Sequence, residues 1–104
     1  MTRVCLITAP TQEKALEIAR ALLQARLVAC VNLVPAITSL YWWEGQIQQD
    51  SEVLMIVKTE DSRLDLLQQQ LPKLHPYSVP ELVVLPVEGG LPAYLEWVRA
   101  SVSG

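Results

Sequence analysis

One stretch holds the imidazole chemistry of this chain. "LHPYSVPELVVLP", residues 74–86, contains His75, the single histidine among 104 residues. Three roles are open to it: metal ligand, acid/base, or hydrogen-bonding residue at a helix-to-strand junction. The surrounding pattern puts it where a helix gives way to a strand, at a surface cleft. Catalysis has little other support. The sequence carries no nucleophile elbow, P-loop, GxGxxG turn or HExxH pair. Its carboxylates show no spacing diagnostic of acid/base work. The chain is therefore read as a non-enzyme. Cys5 and Cys30 lack the CxxC spacing of zinc and redox sites and read as reduced, buried thiols of a cytoplasmic protein.

The elements that must position these groups follow from hydrophobic periodicity. Arg3 to Ala9 is an apolar, β-branched run closed by Pro10. Thr11 can cap a helix running to about Arg26, because Ala15, Ile18, Ala19, Leu22 and Leu23 share one helical face. "LVACVNLVP", residues 27–35, reads as a strand buried on both faces. The chain stays extended through "ITSLYWWEG", and Glu44-Gly45 reads as a hairpin turn. The return strand, 46–58, begins polar and ends apolar, so its first half should project as a two-stranded arm. Ser62 with Asp65 fits a capping pattern for a second helix, which Pro72 and Pro76 should end. "VPELVVLPV" is the last strand, edge-placed by its prolines. Leu91, Leu95, Val98 and Val102 mark a final helix starting near Pro92.

The order is β-α-β-β-α-β plus a C-terminal helix: an α+β, ferredoxin-like split sandwich in one domain spanning residues 1–104. Its composition is 51% hydrophobic. A domain this small cannot bury so much apolar surface alone, so the surplus points to a homo-oligomer. Tyr41, Trp42 and Trp43, on an arm too thin to be stable in isolation, are the expected subunit contacts. Net charge is −3 and the eight basic residues are scattered, which argues against nucleic acid. No apolar stretch is long enough for a membrane span.

The segments "TAP" (8–10), "ACVN" (29–32), "SLYWWEG" (39–45), "DSEVLMIVKT" (50–59), "HPYSVPE" (75–81) and "YLEWV" (94–98) resemble the CutA family, the divalent-cation tolerance proteins, nearly end to end. The resemblance implies a tight homotrimer with PII-like architecture, extended hairpin arms, and a role in tolerance of divalent metals, copper in particular. It carries His75 and Cys30 over as candidate metal ligands, nitrogen and sulfur donors that suit copper. Ile7 and Leu74 stand where some bacterial members have a cysteine and a second histidine. Glu44, Asp50, Glu52 and Glu81 are further oxygen donors. The resemblance also marks Asn32, Glu52, Lys58, Tyr77, Glu81, Tyr94 and Trp97 as a set that could line a cleft between subunits and bind a small molecule or partner protein.

Overall fold

The computed structural model describes residues 1–103. Strand β1 (Thr2–Ala9) leads through Pro10 to helix α1 (Gln12–Gln24), and the Thr11 hydroxyl accepts from the Lys14 N–H at 3.1 Å as the expected cap. The long strands β2 (Cys30–Trp43) and β3 (Gln46–Glu60) form the hairpin. Glu44 and Gly45 both take positive φ, 51° and 76°, as a two-residue hairpin turn of the right twist requires. Helix α2 (Leu64–Leu74), strand β4 (Val83–Pro86) and helix α3 (Pro92–Val102) complete the chain. The sheet is antiparallel in the order β2-β3-β1-β4. The expected split sandwich is the observed fold.

Alternation sorts the sheet into two faces. Cys5, Ile7 and Ala9 of β1 and Val53, Met55 and Val57 of β3 are buried beneath Ala15, Ile18 and Leu22 of α1 and Leu67 and Leu71 of α2. Burying a side chain of this kind contributes roughly 1.5–3 kcal/mol, so this closed face holds the core. The opposite face carries Val4 and Leu6 of β1 and Leu54, Ile56 and Lys58 of β3. Val34, Val83 and Leu85 on that face stay 39–46% exposed. Helix α3 buries Val98 and Val102 against one end of the sheet. Its last carbonyls are tied down by Arg26 on Ser101 O and by Arg63 on Val102 O.

Strand β1 pairs with residues 53–60 of β3, so residues 46–52 pair with β2 alone. This is the expected arm, about 20 Å long at the rise of an extended chain, and it stretches the molecule to 44 × 26 × 22 Å. A bulge interrupts β2 between Val34 and Ile37, where Ala36 sits at φ 58°. The extra residue reverses which β2 side chains share a face with β3. Beyond it Tyr41 and Trp43 lie on the open face with Asp50 and Glu52. Trp42, Leu40 and Ile47 point to the other side.

Several expectations are corrected. The 27–35 run is not a strand buried on both faces. Leu27 and Val28 are buried before β2 begins, and from Cys30 one side of the strand is half-open because helices cover only the closed face. Cys30 is accordingly half-exposed, whereas Cys5 is fully buried and its thiol is pushed up to about 11 by burial. Ser62 caps nothing with its side chain; it sits inside a 3₁₀ turn, Asp61–Arg63, that precedes α2. Pro72 does not end α2, which runs on to Leu74. Pro72 and Gln68, whose carbonyl loses its helical donor, are both exposed. Strand β4 is only four residues long, an edge segment that stops at Pro86.

Candidate functional site

His75 follows the last residue of α2, and its N–H still bonds to Leu71 O at 3.0 Å. It is 7% exposed, not available at a surface cleft. Its Nε2 lies 2.7 Å from the Thr8 carbonyl of β1, and the Tyr77 N–H donates to Nδ1 at 3.2 Å. A carbonyl acceptor at one nitrogen and an N–H donor at the other make Nε2 the donor and Nδ1 the acceptor. The Tyr77 ring packs against it at 4.7 Å between centroids. Nε2 thus clamps the helix-to-strand junction onto β1, while Nδ1 fixes the turn at Tyr77.

The clamp aims Tyr77 at β3. Its hydroxyl donates to Glu52 Oε2 at 2.7 Å, and Glu52 is buried at 8% exposed. Burial, then the Glu52 carboxylate, push the Tyr77 phenol far above its ordinary value, so it remains a donor. One step further out, the Tyr41 hydroxyl donates to Asp50, which holds its proton on in the same way. Glu81 stands close enough for the Glu52 charge to act on it. Loss of hydration first, and that charge second, raise its carboxyl. No Lys, Arg or His ion pair neutralises Asp50, Glu52 or Glu81 among the described residues. These groups make an acid corner at the root of the arm: three carboxylates answered only by two phenols.

At the other end of the same face, Lys58 of β3 stands beside Cys30 of β2 and Val4 of β1 in one cross-strand row. Its ammonium donates to Asn32 Oδ1, which also takes the Cys30 thiol at 3.6 Å. Tyr94 of α3 lies against the Cys30 sulfur, and its ring pairs with Trp97 at 5.5 Å between centroids. The seven residues expected to line one cleft therefore fall into two groups within the chain: Glu52, Tyr77 and Glu81 at the acid corner, and Asn32, Lys58, Tyr94 and Trp97 at this donor corner.

His75 and Cys30 are not brought together. Cys30 lies in the Val4 row and His75 binds Thr8, four residues along β1, or roughly 13 Å away. Among the described residues no three His, Cys, Asp or Glu side chains gather to hold an ion. The nitrogen-and-sulfur set that suits copper thus does not fit within one chain. Sequence reasoning missed the Tyr41–Asp50 bond because alternation without the bulge puts them on opposite faces. It missed the Thr8 carbonyl because a backbone acceptor leaves no trace in side-chain pattern.

Residues 3–101 match the family described as CutA1 divalent ion tolerance protein. The chain is 48% identical over 99 residues to the divalent-cation tolerance protein CutA of Thermus thermophilus, covering 95% of this chain and 96% of that protein. It is 52% identical over 93 residues to the mouse protein CutA, covering 89% of this chain and 52% of the relative, so it spans about half the mouse protein's length. The structure titled periplasmic divalent cation tolerance protein CutA from Archaeoglobus fulgidus superposes with a TM-score of 0.95 at 39% identity, covering 99% of this chain and 100% of that one. Agreement of sequence and fold over almost the whole chain leaves one conclusion: the chain belongs to the CutA1 divalent ion tolerance family.

Proposed function

We propose that this chain is a single-domain, homotrimeric divalent-cation tolerance protein, non-enzymatic, that meets its cation at the acid corner. The observation that carries the reading is the neighbouring carboxylates Glu52 and Glu81, which no Lys, Arg or His pairs among the described residues. One or two carboxylates completed by water suit hard divalent ions such as Mg²⁺ or Mn²⁺. Cu(II) would need a nitrogen or sulfur donor from another copy. Support for assembly comes from the apolar side chains left open on the sheet and arm, including Val34, Leu40, Trp42, Ile47, Val83 and Leu85. No described helix is long and apolar enough to cross a membrane. A cytoplasmic location, with free thiols kept reduced, belongs to the same proposal.

The test is calorimetric titration with Mn(II) and Cu(II) of wild type, Glu81→Gln and Trp42→Ala, with mass followed on dilution. Expected are saturable Mn(II) binding weakened about tenfold in Glu81→Gln, and the mass of three 11.6 kDa chains, which Trp42→Ala makes easier to dissociate. Binding indifferent to Glu81 would remove the acid corner from the account.

A further inference from the structure

We draw no further inference here: the strongest candidate, the cleft between the start of β1, the end of β3 and helix α3 that Glu60, Glu88, Leu95 and Arg99 line, carries nothing, because its buried Glu60 is already held by the Thr2 hydroxyl and the Met1 ammonium and its Arg99 by Glu96, and no buried side-chain polar atom among the described residues is left without a partner to mark a ligand.

Discussion

Glu52 and Lys58 stand on one face of one strand, six residues apart, and their surroundings differ in kind. At the Glu52 end the polar groups answer one another: His75 holds Thr8 and Tyr77, Tyr77 holds Glu52, and Tyr41 holds Asp50. At the Lys58 end the groups share a single acceptor, Asn32 Oδ1, and turn their remaining hydrogens outward. The acid end is thus built into the fold, because its hydrogen bonds span β1, β3 and the α2–β4 junction. The donor end is attached to the fold but does not hold it together. Substitutions at the two ends should therefore read out in different quantities.

The largest effect is expected for His75→Ala. It orphans the buried Thr8 carbonyl and the Tyr77 N–H and should destabilise by about 3 kcal/mol in urea unfolding. An unchanged midpoint would mean that the clamp does not secure the junction. Tyr77→Phe leaves buried Glu52 without its donor and should cost about 2 kcal/mol, with no change in fold by circular dichroism. For Glu81→Gln the sign depends on pH. The folded chain binds the Glu81 proton more tightly than the unfolded chain, so stability falls as pH rises from the ordinary carboxylate range through the raised value. Glutamine removes that penalty, so the variant's Tm should exceed wild type at pH 7 and converge with it near pH 3. A constant offset would show that charge at the corner is not the cause. The smallest effect belongs to Lys58→Met, within about 0.5 kcal/mol of wild type in stability. A large loss there would erase the contrast between the two ends.

Much of this was legible before any coordinates. Thr11, Pro10, Glu44-Gly45 and Pro92 are local signals whose physics does not depend on the rest of the chain, and each marks an element boundary where expected. The closed core was legible because apolar residues at helical and strand periods converge on one face. The site was less so. Its residues were named, but their grouping depends on β2 register, and Pro35-Ala36 shifts that register by a bulge that alternation alone does not reveal. Cys30 was assigned to the core for a related reason: an apolar run does not say which faces of a sheet its helices cover. His75 shows the opposite case. Its position at the junction was readable, while its role was decided by a backbone carbonyl 67 residues away in sequence.

The most direct test of the central claim is substoichiometric Mn(II) added to the isotope-labelled protein, with paramagnetic broadening of amide resonances mapped along β3. The account predicts that Glu52, Tyr77 and Glu81 lose intensity first while Lys58, Asn32 and Cys30 stay sharp. Broadening centred on Cys30, or spread evenly over the surface, would contradict it.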